Sequence, residues 1–255
     1  MVGTNTDFRR VGHHMGTAIT LAGRRIDDEL ADGFFRRIGD LELVLSRFLP
    51  ESDLSRLADG RVGLDDVDWA VREVLNRCVD LRRRTDGWFD HEPVRSLLDP
   101  NALAKGWIVE QAALELRLAG VPEFFVNAGG DVLVHRPHPS NPYRVGVQHP
   151  QEPEAVVAVL DVSDGAVATS GTYERGEHIR GAEDGRVLSA TVVGPELGEC
   201  DALATAVFAA GLPVPDWWER FSARHSLLTV TADNRIHWRT PEGGTLARRT
   251  CRLVE

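Results

Sequence analysis

The chain has a single lysine. Every other basic residue among its 29 Lys and Arg is arginine, and the exception stands in Asp99-Pro-Asn-Ala-Leu-Ala-Lys105-Gly106-Trp107. Cysteine is nearly as scarce. Cys78, Cys200 and Cys251 are widely spaced and form no Cys-x-x-Cys pair, so neither a disulfide framework nor a cysteine zinc site is expected. A reduced, cytoplasmic setting fits that usage. No run approaches the ~18 apolar residues of a spanning helix, so no membrane insertion is expected. The first ten residues show neither an apolar core nor a cleavage signature, and no signal peptide is read there. An excess of basic charge is also missing. The formal charge of -10 argues against a general nucleic-acid or anionic-membrane binder, while leaving room for a local basic pocket for phosphate.

What is present is an ordinary globular composition: 255 residues, 42% hydrophobic and 27% charged. A chain of this size buries roughly 70–75% of its extended surface on folding. We read residues 1–12 as an N-terminal extension and 13–255 as one domain. Thr17 to Leu21 has strand character. Apolar residues recur at helical spacing from about Asp27 to Phe48, before Pro50, and again from about Asp65 to Arg84, where arginines fill the last turn. A third helix is expected over roughly Ala104 to Leu118 and a fourth over about Cys200 to Ala210. A short amphipathic helix with Trp217, Trp218 and Phe221 follows.

Strands are expected on both sides of Asn127-Ala-Gly129-Gly130-Asp131, then at Tyr143–Val147, Ala155–Leu160, Ala166–Thr169 and Leu188–Val193. A terminal hairpin turns at Asp233-Asn234. Helices and short strands mix throughout, which makes an α+β fold with antiparallel or mixed sheets and packed helices.

Four clusters carry candidate chemistry. Lys105 near a helix start combines a compact ammonium with free backbone N–H groups, and such a pair suits an anion. Asp99 either caps that helix or accepts hydrogen bonds from the polar edge of a heteroaromatic ring. The Gly129-Gly130 pair lets backbone approach a ligand or another strand closely, or simply turns. Thr169-Ser170-Gly171 either binds phosphate or forms a hydroxyl-capped turn. Ser170 lacks the flanking glycines of a nucleophile elbow, and no catalytic triad is visible. Asp201 and Thr205, four apart on one helix face, offer hard oxygens of the kind Mg²⁺ accepts, or else a helix-start charge and a core-edge hydroxyl.

Eight words in order, His14-Met15-Gly16-Thr17, Ser52-Asp53-Leu54-Ser55, Thr85-Asp-Gly-Trp-Phe-Asp90, Asp99…Ala104-Lys105-Gly106, Asn127-Ala-Gly-Gly-Asp131, Ala168-Thr-Ser-Gly171, His178-Ile179 and Asp201-Ala-Leu-Ala-Thr205, resemble the ApbE-type FAD:protein FMN transferases. The resemblance implies an ApbE-like fold that binds FAD and Mg²⁺. It also implies transfer of FMN to a Ser or Thr of an acceptor flavoprotein with release of AMP. Carried over residue by residue, Met15, Trp88, Phe89, Asp90, Asp99, Lys105, Thr169, Ser170, Gly171 and His178 would bind FAD. Asp201, Thr205 and the carbonyl of Ala102 would hold Mg²⁺. His178 would accept the acceptor's proton, so that His178 and Asp201 are the residues expected to carry catalysis.

The family's Asp-Pro-x-Thr-Gly stretch after the histidine reads Arg180-Gly-Ala-Glu-Asp184-Gly185 here. Two other functions therefore accompany the transferase: an Mg²⁺-dependent FAD pyrophosphatase yielding FMN and AMP, and a non-catalytic FAD-binding protein.

Overall fold

The strand-forming segments build an eight-stranded antiparallel sheet, and the helices cover one of its faces. The computed structural model describes residues 7–92, 98–136, 142–171 and 187–240. In chain order come β1 (Phe8–His14), β2 (Thr17–Arg24), α1 (Asp28–Leu45), α2 (Asp53–Ala58), α3 (Trp69–Arg84) and α4 (Asn101–Leu118). Then follow β3 (Glu123–Ala128), β4 (Asp131–His135), β5 (Tyr143–Gln148), β6 (Val156–Val162), β7 (Asp164–Gly171), β8 (Val187–Gly194), α5 (Leu197–Ala210), β9 (Ser226–Thr231) and β10 (Ile236–Arg239). The sheet runs β1-β2-β3-β4-β7-β8-β9-β10, and every neighbouring pair is antiparallel. Residues read from sequence as an extension thus enter the sheet, since Phe8 to Gly12 pair with Gly23 to Ile19.

The strands β5 and β6 form a separate hairpin inserted between β4 and β7. Its alternating inward residues Tyr143, Val145 and Val147 share a hydrophobic core with Val132, Val134, Val167, Val193, Leu228 and Val230 of the main sheet. The opposite face holds the larger core, where α5 and α4 lie against the sheet and α1 and α3 close over them. The helix α5 is buried on nearly all sides, from Leu197 to Ala209, because it is sandwiched between sheet and α4.

Boundaries moved where local hydrogen bonds outweighed apolar spacing. The first helix stops at Leu45, short of Pro50, because Ser46 turns extended and its carbonyl accepts from the hydroxyls of Ser52 and Ser55. The Ser52-Asp53-Leu54-Ser55 word starts α2, with Ser52 Oγ accepting from Ser55 N at 3.0 Å. The helix expected from Asp65 begins only at Trp69. Asp68 caps it by accepting from Ala70 N at 2.8 Å, and Leu64–Asp66 form a 3₁₀ turn instead. The third helix begins a turn earlier than expected, at Asn101, and the short amphipathic helix is a 3₁₀ turn over Asp216–Arg220.

Candidate functional site

Antiparallel pairing brings distant sequence words to one edge of the sheet. The strand β2 begins at Thr17, β3 ends at Ala128, β4 begins at Asp131 and β7 ends at Gly171. Met15-Gly16, Gly129-Gly130 and Thr169–Gly171 therefore lie along the same end. Both two-residue turns take positive φ throughout, 52° and 73° at Met15 and Gly16 and 67° and 104° at Gly129 and Gly130, as tight hairpins require. A side chain on Gly129 would meet Thr17 Oγ1 at 2.8 Å, so the glycine also permits the two turns to touch. Met15 tolerates its left-handed backbone because its N–H donates to Glu42 Oε1 of α1 at 2.8 Å, while Glu42 Oε2 lies 3.3 Å from His14 Nδ1.

The end of β7 is tied on three sides. Thr169 N donates to Asp131 Oδ1 at 3.2 Å, and the hydroxyls of Thr169 and Thr191 share a hydrogen bond at 2.9 Å. Ser170 and Thr205 share another at 3.0 Å, which pins β7 to α5. Ser170 is fully buried, so its hydroxyl orients Thr205 and has no access to a substrate as a nucleophile. One helical turn before Thr205, the carboxylate of Asp201 is likewise fully buried. The spacing argument from sequence is met, and the burial adds that this charge sits inside the protein, where it needs polar or cationic company.

The Thr85–Asp90 word caps α3. Thr85 Oγ1 donates to Leu81 O at 2.8 Å and accepts from Phe89 N at 3.0 Å, while Asp86 and Gly87 turn the chain with φ of 52° and 86°. Phe89 points into the core at 2% exposure, whereas Trp88 is 41% exposed and Asp90 lies 3.4 Å from Arg82. Of the three flavin residues expected in this word, Trp88 and Asp90 have side chains that can meet a ligand. Asp99 N donates to His91 O at 2.7 Å, which draws the word toward α4.

Asp99 accepts from Asn101 N at 3.2 Å at the start of α4 and pairs with Arg47, which follows α1. Pro100 occupies the capping position of α4 and makes no side-chain cap bond, so Asp99 meets the helix one residue before its cap; the arginine partner is an addition that the sequence did not signal. Burial and the nearby Asp99 charge push the Cys78 thiol up to about 12, so it stays protonated.

Lys105 sits in the second turn of α4, not at its start, and makes no hydrogen bond or ion pair among the described residues. The next residue explains the glycine: a side chain on Gly106 would fall 2.5 Å from Gly198 N and 2.6 Å from the carbonyl carbon of Leu197. Gly198 is as tightly placed, 2.9 Å from Leu103 O. The helices α4 and α5 meet backbone to backbone there, with Gly198 of α5 against Leu103 and Trp107 of α4. His178 and Thr172–Arg175 lie outside the described residues.

No cluster of three or more His, Cys, Asp or Glu able to hold a metal occurs among the described residues. The expected donors are instead one carboxylate, one hydroxyl and one carbonyl. Such a set of hard oxygens fits Mg²⁺, which retains several positions for water and phosphate oxygens. A cavity of about 520 Å³ lies elsewhere, between α3, α4, the start of α5 and the 3₁₀ turn. None of the expected flavin or metal residues lines it. Three of its four arginines are already engaged, Arg77 with Glu73 and Glu196, Arg84 with Glu199 and over the Phe221 ring, and Arg220 with Asp86.

Residues 91–227, more than half of the chain, match the ApbE family. The chain belongs to the ApbE family. It is 35% identical over 160 residues to a FAD:protein FMN transferase of Rhodobacter capsulatus, covering 57% of this chain and 30% of that protein. It is 29% identical over 129 residues to the Vibrio cholerae FAD:protein FMN transferase, covering 45% and 39%. With the Escherichia coli K12 protein of that name it shares 26% over 164 residues, covering 57% and 46%.

The matches thus span between about a third and a half of these curated ApbE relatives. The fold agrees more widely. The flavin transferase ApbE of Vibrio cholerae superposes with a TM-score of 0.77 at 19% identity, covering 93% of this chain and 98% of that one. The ApbE protein of Thermotoga maritima gives 0.75 at 20% identity, covering 91% and 96%.

Proposed function

We propose that this ApbE-family chain is an Mg²⁺-dependent FAD:protein FMN transferase. The observation that carries the reading is that the Ser170–Thr205 hydroxyl pair, one helical turn from the buried Asp201, sits at the end of the sheet that holds the hairpin turns at Met15 and Gly129. The names of the curated relatives support it.

In this reading Asp201, Thr205 and the Ala102 carbonyl hold Mg²⁺. Mg²⁺ there would neutralise negative charge on the diphosphate of FAD. Ser170 fixes the rotamer of Thr205, and Asp131 fixes the backbone of Thr169, so neither donor nor strand end reorganises during the reaction. Lys105, without a hydrogen bond or ion pair among the described residues, places its ammonium against a phosphate oxygen. Met15, Trp88, Asp90 and Asp99 line the flavin or adenine, and Thr169 to Gly171 line the same cleft.

The oxygen of an acceptor Ser or Thr attacks the FMN phosphorus, and a new P–O bond forms. The bond to the bridging oxygen breaks, AMP leaves with that oxygen, and the hydroxyl proton passes to His178. The acceptor supplies the nucleophile, which agrees with Ser170 being sealed from solvent. No helix among the described residues is long and apolar enough to cross a membrane, and we place the enzyme in the cytoplasm, acting on a partner flavoprotein.

The test is AMP release from FAD with Mg²⁺, with and without an acceptor flavoprotein, beside the acceptor's intact mass. AMP with an FMN mass increment on the acceptor establishes the transfer. AMP released equally without acceptor makes the chain a pyrophosphatase. FAD bound without AMP in either tube refutes catalysis and leaves a binding protein. Asp201→Ala should abolish AMP release while FAD binding survives, and an unaffected rate would remove Asp201 from the metal site.

A further inference from the structure

The helix that carries Asp201 and Thr205 has no cap of its own. Glu196 occupies the capping position of α5, but its side chain makes no capping hydrogen bond. The free N–H groups of the first turn are satisfied from another helix: Glu110 Oε1 on α4 accepts from Leu197 N and, at 3.2 Å, from Gly198 N. Glu110 lies one turn beyond Gly106, the residue at which the two backbones touch. The glycine contact lets α4 and α5 approach, and it does not by itself fix how far one slides along the other. A carboxylate bonded to two consecutive amides does.

We propose that Glu110 is a positioning residue. By holding the first turn of α5 to α4 it fixes Asp201 and Thr205 relative to the Ala102 carbonyl. The inference rests on the reading of those three groups as the metal donors. Ala102 lies four residues before Gly106, and Asp201 three residues after Gly198, so the contact and the clamp together set the geometry of donors contributed by two helices. A donor set split between two elements depends on what orients them, in the same way that ligand-orienting partners tune metal affinity elsewhere.

The test compares Glu110→Met, which fills the space but cannot accept a hydrogen bond, with Glu110→Gln, which can. Neither variant buries a charge, and thermal unfolding checks that both fold. Mn²⁺, titrated alone and followed by its paramagnetic resonance signal, should bind about 10-fold more weakly to Glu110→Met and within about threefold of wild type to Glu110→Gln. FAD turnover should divide in the same way, with kcat falling in Glu110→Met while KM for FAD stays nearly constant.

A structural role alone would lower the unfolding temperature and leave Mn²⁺ affinity of the folded protein untouched. That result, with wild type binding Mn²⁺, overturns the positioning role and leaves the transferase reading standing. Wild type that fails to bind Mn²⁺ overturns the metal assignment itself. Should Glu110→Met fold poorly, amide exchange decides on Glu110→Gln: protected Leu197 and Gly198 amides with full Mn²⁺ affinity support the clamp, and exposed amides with full affinity refute it.

Discussion

Gly106→Ala is the sharpest perturbation of the α4–α5 crossing, because two effects of opposite sign can be weighed against each other. Alanine is the better helix former by about 1 kcal/mol, and Gly106 is in the middle of α4, so local propensity favours the substitution. Against it stands the methyl group, which would lie 2.5 Å from Gly198 N and 2.6 Å from the Leu197 carbonyl carbon. Both are backbone atoms in the first turn of a buried helix and cannot swing aside as a side-chain tip can. Relief requires α5 to move as a body by the better part of an ångström, and overpacking of this kind costs about 1–3 kcal/mol or more.

Movement also lengthens the Glu110 bonds to Leu197 and Gly198, at about 1 kcal/mol apiece. The opposing terms leave a net destabilisation of about 2–4 kcal/mol. For a chain of this size that is a fall of roughly 4–16 °C in Tm. Thermal unfolding followed by circular dichroism measures it, and FAD turnover at a temperature where the variant is folded should fall as well, since α5 carries Asp201. A Gly106→Ala protein as stable and active as wild type would refute the close crossing and every inference built on it.

Other substitutions separate the site's parts. Lys105→Arg should raise KM for FAD severalfold without lowering Tm, because the guanidinium is larger and less mobile than the ammonium; unchanged kinetics would remove Lys105 from the phosphate site. Ser170→Ala breaks the bond to Thr205 and should cost about 1–2 kcal/mol in stability and raise the Mg²⁺ concentration for half-maximal activity, whereas an unchanged Mg²⁺ titration would show that Thr205 needs no partner.

Burial, opposed by its two N–H bonds and Arg77 and aided by Glu196, raises the Glu110 carboxyl to about 7. The folded protein therefore holds this proton more tightly than the unfolded chain does. Its stabilising effect is complete below about pH 4.5 and lost as pH rises through 7, by at most about 3 kcal/mol. Glu110→Gln has no such proton to lose, so its Tm relative to wild type should rise between pH 5 and 8, and a constant difference would refute the raised value.

Most elements are readable from apolar periodicity, and the reason is visible in the two cores. The strand β5 alternates inward and outward because only one side faces the sheet, and α1 and α3 bury one stripe each. The helix α4 is harder to delimit because it is buried on several sides and begins with polar Asn101, so its start is marked by the Asp99 bond to Asn101 N and not by an apolar residue. The site divides similarly. Words held together locally, such as the Met15-Gly16 turn or Asp201 and Thr205 on one helix, carry their own spacing.

The partners that orient these words leave no such mark. Glu42 holds Met15 from 27 residues away, Arg47 holds Asp99 from 52, and Glu110 caps α5 from 87. Each is one more acid or arginine on a helix until the fold brings it across, and no spacing rule reaches that far.

The use of arginine clarifies the lone lysine. Several guanidiniums serve as fixed struts: Arg47 on Asp99, Arg77 between Glu73 and Glu196, Arg84 on Glu199 and stacked on Phe221 at 4.1 Å, Arg220 on Asp86 and the Arg84 carbonyl. A planar fork with several donors suits that work, because each bond formed restrains the next. A group that must meet a phosphate during a reaction and release the product afterwards has the opposite requirement. It should be charged, mobile and without an internal partner. Lys105, in the second turn of α4, has no hydrogen bond or ion pair among the described residues. In a chain that otherwise uses arginine for every cation, the phosphate contact proposed for it is one an arginine would make poorly.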